Sequence, residues 1–391
     1  MNILNIAVNL TPEWGGPTKV ISELTEELAN KKDVNITIFS PISEPDRHKI
    51  KLLDNVNVEL FKEHPFSRFW VGYSPSMVKG LEKSIKLFEL VHIHELWSYP
   101  HFIAYRMAKK YNKPILITPH GELQPWMVNH KSFKKNIYLK LIQKPILENV
   151  NGIHAISLDE VNEIKKIVPE QRIFSISNGI NFDLFDKLPN KYELCEMYPS
   201  VQGKKVILFL GRIHEVKGID LLAKTFVKLY SKRKDIHLII AGSGDNTFLS
   251  KIKKILLEEN AVSEVTFTGL VSDSKKIPLL RGADICVIPS YSEVRSLVAL
   301  EAMACEVPII ITRNCGFPEV SKVSSGIEIN HNVIELENAI NRLLGNKELC
   351  MIMGKNGREL VKAQFTWSKS AECMKELYQK LINENKDGDF K

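Results

Sequence analysis

Short apolar runs alternate with longer amphipathic segments along almost the whole chain. The runs in the first half include NILNIAV, LVHIHE and PILITP, and those in the second half include VILFLG, IHLIIAG and VPIIIT. Apolar runs separated by helical segments such as KVISELTEELANK are typical of parallel strands that helices cover on both faces. The alternation therefore predicts an α/β fold built on parallel sheets.

The alternation restarts in the middle of the chain, after a polar and irregular stretch that follows SISNGI. The total of 391 residues is also too long for one ordinary core. We therefore predict two Rossmann-like domains, at residues 1–183 and 184–367, which face each other across a cleft. Ligands are expected in this cleft, at the carboxyl ends of the strands. The closing segment, about residues 368–386, is predicted to be a helix.

Composition excludes several classes of protein. No window is apolar enough for a membrane-spanning helix, and the first residues lack the features of a signal peptide, so we predict a cytoplasmic protein. The six cysteines show no CxxC pair or metal-finger spacing, which favours buried thiols in a reducing compartment. The net charge of +7 is too small for this length to indicate a nucleic-acid binder.

A basic segment extends from Trp126 to Ile146 and contains no acidic residue. Two interpretations remain open: a solvated helix face, or a surface that meets anionic lipid headgroups or an anionic acceptor. The second would place the protein on the inner face of the cell membrane. The lysines concerned are Lys131, Lys134, Lys135, Lys140 and Lys144.

Two strand-to-helix junctions have the residue types that bind phosphates. In WGGP, Gly15 and Gly16 allow a close approach of backbone, and free helical N–H groups there favour an anion, although a plain tight turn explains the glycines equally well. In GRIHEVKG, Arg212 and Lys217 could grip a diphosphate or could be ordinary loop charges. Gly242, after the strand IHLIIA, could let a flat ring lie against backbone.

The stretch SYSEVRSLVALEAMA places two carboxylates in an otherwise apolar segment. Ser296 is expected to cap a helix over residues 297–304, whose first N–H groups, those of Leu297 and Val298, could hold a phosphate. We expect neither carboxylate to lie in the core. Glu301 would bind a ribose, and Glu293 would bind the group beyond the second phosphate.

Taken in order, WGGP, HG, SNGI, GRIHEVKG, AGSG and the pair Glu293-x7-Glu301 resemble the retaining nucleotide-sugar glycosyltransferases of family 4, which have the GT-B fold. The resemblance implies that the terminal helix crosses back to the first domain. It also implies a role for each matching residue: Gly15 and Gly16 near the donor phosphates, Arg212 and Lys217 on the diphosphate, Glu301 on the ribose, Glu293 on the transferred sugar, and His120 beside that sugar.

The chain departs from the family pattern at two places. Val294, Arg295 and Ser296 follow the first glutamate, where a sequence such as E-G-F-G is usual, and Glu306 replaces a usual glycine. These departures affect the expected shape of the sugar pocket more than the residues expected to bind the nucleotide. They keep open the alternative of a catalytically silent sugar-nucleotide-binding protein, and a nucleotide-sugar epimerase is a second alternative on the same fold.

The predicted function is a retaining hexosyltransferase that uses a UDP- or GDP-linked sugar and a sugar hydroxyl as acceptor. The acceptor would belong to a cell-surface glycan: O-antigen, capsule, exopolysaccharide or a lipid-linked oligosaccharide. Catalysis would be electrostatic, through Arg212, Lys217, His120 and Glu293. No cofactor or metal is expected, because the one D-x-D motif, at residues 387–389, lies in the charged tail.

Three residues of the first domain are candidates for the acceptor side. His94 ends the run LVHIH, and Trp97 and Trp126 could stack on sugar rings, although single aromatic residues more often serve packing. His92, His94 and Glu95 have a spacing that zinc could use, but no third ligand is evident from the sequence, so the acceptor side is preferred.

Overall fold

A computed structural model describes residues 1–50, 53–126 and 132–388. The chain forms two compact units: unit 1 comprises Met1–Asn178 and Trp367–Lys391, and unit 2 comprises Gly179–Thr366. The division falls a few residues before the boundary expected from the sequence. Ile180 already belongs to unit 2, because its N–H donates to the carbonyl oxygen of Phe365 at 3.0 Å.

Unit 1 is built on a seven-stranded sheet with the order β3-β2-β1-β4-β5-β6-β7. All the strand pairs described in this sheet are parallel, and the central strand β4 is buried along its whole length. The strands are β1 (Asn2–Ile6), β2 (Asn35–Ile42), β3 (Asn57–Lys62), β4 (Leu90–His94), β5 (Ile115–Thr118), β6 (Gly152–Ala155) and β7 (Ile173–Ser175).

The helices of unit 1 begin where the sequence offers a cap. The Ser74 hydroxyl accepts from the N–H of Met77, and the Ser157 hydroxyl accepts from the N–H of Glu160. The helices are α1 (Gly16–Ala29), α2 (Pro75–Ser84), α3 (Tyr99–Lys110), α4 (Ser132–Tyr138), α5 (Lys144–Glu148) and α6 (Leu158–Ile167), and a π-helical turn, Leu139–Gln143, joins α4 to α5.

Unit 2 is built on a six-stranded parallel sheet with the order β10-β9-β8-β11-β12-β13. Residues of β8, β9, β11 and β12 are almost completely buried, because helices cover both faces of the sheet. The strands are β8 (Lys205–Leu210), β9 (Ile236–Ala241), β10 (Val265–Gly269), β11 (Ile285–Ile288), β12 (Ile309–Thr312) and β13 (Gly326–Ile329).

The helices of unit 2 alternate with its strands, as expected for a Rossmann-like domain. They are α7 (Glu193–Met197), α8 (Ile219–Lys232), α9 (Asn246–Glu258), α10 (Asp273–Gly282), α11 (Leu297–Ala304), α12 (Glu319–Lys322), α13 (Val333–Leu344) and α14 (Lys347–Gln364). Among the residues that the structure describes, no helix of either unit has the length and apolarity needed to cross a membrane.

The terminal helix α15 (Trp367–Asp387) belongs to unit 1. Its Trp367 indole N–H donates to Glu23 on α1, and its Ser370 hydroxyl donates to the carbonyl oxygen of Ser177 at 2.7 Å. Glu384 accepts two hydrogen bonds from the Arg172 guanidinium, at 2.9 and 3.0 Å. Hydrogen bonds at both ends of the helix therefore hold it against unit 1.

Candidate functional site

The loop after β8 carries the first candidate residues of unit 2. It includes a 3-10 turn, Glu215–Lys217, that ends at Gly218 with a φ of 64°. A Cβ atom on Gly218 would lie 1.9 Å from the carbonyl oxygen of Pro289, which follows β11. Glycine is therefore required for this loop to approach the end of β11, and the approach places Lys217 beside the loop that contains Glu293.

Lys217 and Glu293 form an ion pair, with 2.8 Å between Nζ and Oε1. The other carboxylate oxygen of Glu293 accepts from the Ser290 hydroxyl at 3.0 Å. From the sequence, Lys217 was expected on the diphosphate and Glu293 on the sugar, and a contact between the two was not expected. Both side chains keep some exposure to solvent, so a ligand can compete for either.

The N-terminus of α11 lies directly after this loop. The helix begins at Leu297 and ends at Ala304, which confirms the bounds predicted from the sequence. The Ser296 hydroxyl accepts from the N–H of Ala299 at 3.4 Å, as a capping residue does. The N–H groups of Leu297 and Val298 occupy the first turn, where helical N–H groups have no intrahelical partner. The positive end of the helix dipole therefore lies a few residues from Glu293.

Glu301 corrects one expectation. Its side chain is only 3% exposed, and it lies on α11 among residues of the hydrophobic core rather than outside that core. The reason that α11 tolerates it is a partner that the sequence did not indicate: Lys276, on α10, donates to its carboxylate at 2.5 Å. A buried carboxylate is acceptable when a cation and hydrogen bonds offset the loss of hydration. No motif marks Lys276, so only the fold brings the pair together.

Arg212 and Gly242 have different surroundings. Arg212 is exposed, and no carboxylate among the described residues lies within ion-pairing distance of it. Gly242 has a φ of 140°, and a Cβ atom there would lie 1.9 Å from the carbonyl oxygen of Gly211. The neighbouring backbone thus already requires glycine at this position, whether or not a ring also packs there.

Arg295, in the unusual motif after Glu293, has its partners inside unit 2. Its guanidinium donates to Glu319 at 3.2 and 3.5 Å and lies over the rings of Phe317 and Phe365, at 4.4 and 4.9 Å from their centroids. The side chain is only 3% exposed. Arg295 is therefore a structural cation of unit 2, which explains its presence in the unusual motif after Glu293.

Glu306, the other departure from the family pattern, has a φ of 58°. This is the left-handed region, where glycine is favoured and other residues are strained. Its carboxylate accepts from the Arg281 guanidinium at 2.9 Å. The backbone thus has the conformation that a glycine would adopt. The side chain adds an ion pair just after the carboxyl end of α11, whereas the Glu293 loop precedes the amino end.

In unit 1, the glycine pair of WGGP begins α1. Gly15 has a φ of 100°, and α1 begins at Gly16. A Cβ atom on either glycine would have no neighbour within 4 Å, so space is open in front of both. The preceding Trp14 is fixed, because its indole N–H donates to Glu95 at 2.8 Å. The turn is therefore held in place while its glycines stay accessible.

His120 lies in the loop after β5 with a φ of 53°. Its Nε2 atom is 3.0 Å from Nδ1 of His94, and the two rings stack with centroids 5.3 Å apart. Burial lowers the pKa of His120 to about 3, with a smaller contribution from His154. His120 therefore has a neutral imidazole at physiological pH, and the hydrogen bond to His94 fixes its orientation.

The three acceptor-side candidates do not form one group. His94 is 2% exposed and packs between His92 and His120, so it can act on a ligand only through His120. Trp97 is half-buried, and its ring contacts Tyr138 with centroids 6.0 Å apart. Trp126 is half-buried and is the last residue described before the gap at residues 127–131. The acceptor-side roles of the three residues stay predictions, and the burial of His94 argues against direct contact with a ligand.

A buried chain of hydrogen bonds crosses unit 1. Burial keeps His92 and His154 neutral by lowering the pKa of each, so each ring has one donor and one acceptor. His154 Nε2 donates to the carbonyl oxygen of Ile176 at 2.8 Å, so its Nδ1 must accept from the Thr118 hydroxyl. Thr118 in turn accepts from His92 Nε2, and His92 Nδ1 accepts from the Tyr378 hydroxyl at 2.7 Å. The donor of each of these hydrogen bonds therefore follows from the Ile176 carbonyl oxygen, which can only accept.

Buried carboxyl groups accompany these histidines. Burial raises the pKa of Glu95 to about 7 and the pKa of Glu160 to about 7, and it raises the pKa of Glu122 strongly. Glu160 accepts from the N–H groups of Gly121 and Ile156, at 2.6 and 2.8 Å. Despite this concentration of titratable groups, no cluster of three or more metal-ligating side chains occurs in the described parts of the chain.

Comparison with known families identifies the protein class. Residues 14–184 match the family model described as glycosyltransferase family 4, and residues 193–360 match the model described as glycosyl transferases group 1. Between them, these matches cover most of both units. The chain is therefore a glycosyltransferase. It belongs to family 4, because it matches these two models in this order.

Individual relatives extend over nearly the whole chain. The N-acetyl-alpha-D-glucosaminyl L-malate synthase of Bacillus anthracis is 25% identical over 396 residues, which cover 98% of this chain and 99% of that protein. The sucrose-phosphate synthase of Thermosynechococcus elongatus has a TM-score of 0.80 at 23% identity, with 98% of this chain and 99% of that chain covered. Anabaena HepE in complex with UDP-glucose has a TM-score of 0.79 at 16% identity, with 97% and 100% covered. The fold is GT-B.

Proposed function

We propose that the protein is a retaining hexosyltransferase that transfers a hexose from a UDP- or GDP-linked sugar to a hydroxyl group of a saccharide acceptor. The observation that carries the proposal is the Lys217–Glu293 ion pair beside the N-terminus of α11. A cation, a carboxylate and unpaired helical N–H groups at one sheet edge suit a ligand that has both an anionic and a hydroxyl-bearing part.

The diphosphate of the donor would be held by positive charge from two sources. Lys217 and the exposed Arg212 lie on the loop after β8, and the first N–H groups of α11, those of Leu297 and Val298, provide the positive end of a helix. During transfer, negative charge develops on the leaving diphosphate. Groups placed in advance around that charge stabilise the transition state more than the ground state.

The ion pair also gives Glu293 a defined role. Lys217 forms an ion pair with the Glu293 carboxylate and offsets its charge. A diphosphate that binds Lys217 would compete for this cation and release Glu293 to a hydroxyl of the transferred hexose. Glu293 would then be a carboxylate beside a sugar whose anomeric carbon gains positive character. The buried Glu301 would accept from the ribose, and the neutral His120 would be a further group for the transferred sugar.

Two relatives support the choice of donor. Anabaena HepE, which has the same fold, was solved with UDP-glucose, and the Bacillus anthracis relative is named for an N-acetylglucosaminyl product. One name refers to a hexose and the other to the N-acetylamino derivative of the same hexose. A hexose linked to a nucleoside diphosphate is therefore the donor class that we propose for this chain.

The first experiment measures UDP and GDP binding to Arg212→Ala and Lys217→Ala by calorimetry. Each variant should bind the preferred nucleotide roughly a hundredfold more weakly, comparable to the loss of one preorganised anion donor. Lys254→Ala is the matched control, since Lys254 is an exposed cation of unit 2 whose ion-pair partner, Glu258, lies on the same helix. Unchanged binding in both site variants would remove this site from consideration.

The second experiment compares Glu293→Gln with Glu301→Gln by steady-state kinetics. Glu301→Gln should mainly raise KM for the donor, because the ribose changes little during the reaction. Glu293→Gln should mainly lower kcat, because it weakens stabilisation of the transferring sugar. Turnover without an acceptor to an altered sugar would favour the epimerase alternative, and binding of the nucleotide sugar without any turnover would favour a silent protein.

We also propose that the reaction needs no metal. Activity should therefore survive EDTA, and loss of activity with rescue by manganese would contradict the proposal. The acceptor proposed is a cell-surface glycan or its lipid-linked precursor, approached through peripheral contact with an anionic membrane. Lys135, Lys140 and Lys144 of the basic segment would contribute to this contact; Lys131 and the side chain of Lys134 lie outside the described residues.

A further inference from the structure

The loop that carries His120 is a tight turn with an unusual backbone. The N–H of Glu122 donates to the carbonyl oxygen of Pro119 at 3.2 Å, and the two central residues, His120 and Gly121, have φ values of 53° and 83°. Positive φ at both central residues is typical of a type I′ turn, which favours glycine and asparagine. The backbone of His120 is therefore strained, and contacts from outside the turn are needed to hold it.

Glu160 provides such a contact from a different part of unit 1. It is the third residue of α6, and its Oε1 atom accepts from the N–H of Gly121 at 2.6 Å. The N–H of the second central residue takes no part in the hydrogen bond that closes the turn, so a buried turn needs an acceptor for it from elsewhere. The side chain of Glu160 is only 1% exposed and supplies this acceptor.

A capping role alone does not account for Glu160. Residues 157–160, S-L-D-E, have the pattern of a capping box, in which the glutamate serves the start of its own helix. The second carboxylate oxygen of Glu160 does accept locally, from the N–H of Ile156 at 2.8 Å. The Oε1 atom, however, binds a residue 39 positions earlier in the chain. One carboxylate thus joins the start of α6 to the turn that carries His120.

The same arrangement recurs at two neighbouring loops of unit 1. Glu95, after β4, accepts from the indole N–H of Trp14, after β1. Glu122, after β5, accepts from the N–H of Leu96, after β4. The strands concerned are consecutive in the sheet, in the order β1-β4-β5-β6. The loops after β1, β4 and β5 are therefore each held by a carboxyl group that follows the next strand, and Glu160 is the last of this series.

The ring of His120 is held as well as its backbone. His94, which is buried, lies against it with 3.0 Å between Nδ1 of His94 and Nε2 of His120. His120 itself is half-buried, so part of its surface remains within reach of a ligand. A neutral imidazole has one donor and one acceptor in fixed directions. Its effect on a substrate therefore depends on where the turn places the ring.

We propose that Glu160 is a positioning residue for the transfer reaction, which holds the turn so that the His120 imidazole meets the transferred sugar in one orientation. Because Glu160 is buried, it would act on the substrate only through His120. Without its hydrogen bond to Gly121, the strained backbone would relax, and a displacement of about 1 Å in a reacting group can cost on the order of a hundredfold in rate. The inference rests on the proposed function, which gives His120 its sugar.

The main test is a double-mutant cycle in steady-state kinetics. Glu160→Gln keeps the size of the side chain but replaces one acceptor oxygen with an N–H donor, so kcat should fall about tenfold while KM for the donor changes by less than about twofold. His120→Asn removes the imidazole and suits the left-handed backbone. In that background, Glu160→Gln should lower kcat by less than about twofold, because it acts through His120. Equal losses in both backgrounds would overturn the proposal.

Two further variants separate positioning from stabilisation of α6. Asp159→Asn removes a carboxylate from the same first turn, but Asp159 is exposed, so kcat should equal that of the parent. Glu160→Asp keeps the charge and shortens the side chain, which should retain the local bond to Ile156 and lose the bond to Gly121. Its kcat should therefore fall as in Glu160→Gln. Parent kcat in the aspartate variant would contradict the proposal, and UDP or GDP binding should be unchanged in all of these variants.

A measurement without turnover distinguishes this proposal from the proposed function. In imidazole NMR of the full chain, the His120 signals, assigned through His120→Asn, should shift or broaden in Glu160→Gln. The signals of His237, which is buried in unit 2, should stay in place and show that the variant is folded. Unaltered His120 signals would overturn the proposal even if the parent transfers a hexose. Altered signals in a protein that transfers no hexose would instead contradict the proposed function, and not the hold of Glu160 on the turn.

Discussion

Unit 1 and unit 2 bury titratable side chains in different ways. In unit 1, His92, His101 and His154 are each at most 3% exposed, and burial lowers the pKa of all three, to about 4 for His101 and His154. These imidazoles avoid the cost of a buried charge because they remain neutral and hydrogen-bonded. The interior of unit 1 is therefore polar but has no buried ion pair at these positions.

In unit 2, two of the buried side chains are members of ion pairs. Glu301 is 3% exposed and pairs with Lys276, and Arg295 is 7% exposed and pairs with Glu319. An ion pair offsets the loss of hydration only while both members are present. Because of this difference, we expect acid to destabilise unit 1 before unit 2. We expect the removal of one member of an ion pair to destabilise unit 2 more than unit 1.

The largest expected effect is a loss of stability of unit 1 in acid. The folded-state pKa of His92, His94, His101 and His154 lies below the unfolded value of 6.5, so their contribution is complete above about pH 6.5 and is lost as pH falls toward the folded values. The raised pKa of Glu95 and of Glu160, about 7, and the raised pKa of Glu122 have the opposite effect. His120, whose pKa burial also lowers, brings the number of such imidazoles to five against three carboxyls, so below about pH 6 an excess of about two protons in the unfolded state costs on the order of 3 kcal/mol per pH unit.

Tryptophan emission provides a selective measurement, because all five tryptophans of the chain lie in unit 1: Trp14, Trp70, Trp97, Trp126 and Trp367. Between about pH 7 and pH 5, the urea midpoint followed by tryptophan emission should fall further than the midpoint followed by far-UV circular dichroism, which reports both units. A tryptophan midpoint that does not move over this range would contradict the assignment of neutral buried imidazoles.

The next effect tests the ion pairs of unit 2. Lys276→Met leaves the Glu301 carboxylate buried without its cation, which should lower the free energy of unfolding by about 3 kcal/mol. The cost should shrink in acid, where Glu301 can take up a proton. Lys232→Met is the control, because Lys232 is 66% exposed in its pair with Glu337, and it should cost less than about 1 kcal/mol. Equal costs in urea unfolding would mean that burial of Glu301 is not decisive.

A smaller effect is expected at the end of the buried hydrogen-bond chain in unit 1. Tyr378→Phe removes the hydroxyl that donates to His92 Nδ1 and leaves this acceptor buried without a donor. The expected cost is about 2 kcal/mol in urea unfolding followed by tryptophan emission. Tyr230→Phe, in unit 2, is the matched control and should be close to neutral. If both substitutions are neutral, the hydrogen bond between the Tyr378 hydroxyl and His92 does not stabilise unit 1.

The sequence predicted the features that depend on local pattern. The parallel sheets follow from the apolar runs, and the bounds of α11 follow from the Ser296 cap and the apolar residues after it. The motif order also indicated the family. The contact between Lys217 and Glu293 could have been predicted from the sequence, since both residues follow the carboxyl ends of strands and these strands, β8 and β11, are neighbours in the sheet.

Partners from distant segments could not be predicted. Lys276, Glu319 and Tyr378 lie on helices with no motif, and only the packing of those helices brings them to Glu301, Arg295 and His92. For the same reason, the sequence did not indicate that Glu301 is buried. The short apolar helix α11 does not reveal which of its faces packs against the distant Lys276. Local pattern thus predicts elements, while long-range pairing decides which charges are buried.

The smallest effect concerns Glu306, where a strained backbone and an ion pair oppose each other. Its φ of 58° suits glycine, so Glu306→Gly should relieve about 1 kcal/mol of strain. The same change removes the pair with Arg281, which is partly exposed and contributes less than about 1 kcal/mol, and Arg281 keeps its hydrogen bond to the carbonyl oxygen of Cys305. Glu306→Gly should therefore change the free energy of unfolding by less than about 0.5 kcal/mol. Glu306→Ala, which loses the pair and keeps the strain, should be less stable than the glycine variant by about 1 kcal/mol in urea unfolding. If the glycine variant is instead the less stable of the two, the left-handed backbone at residue 306 does not strain a residue that has a Cβ atom.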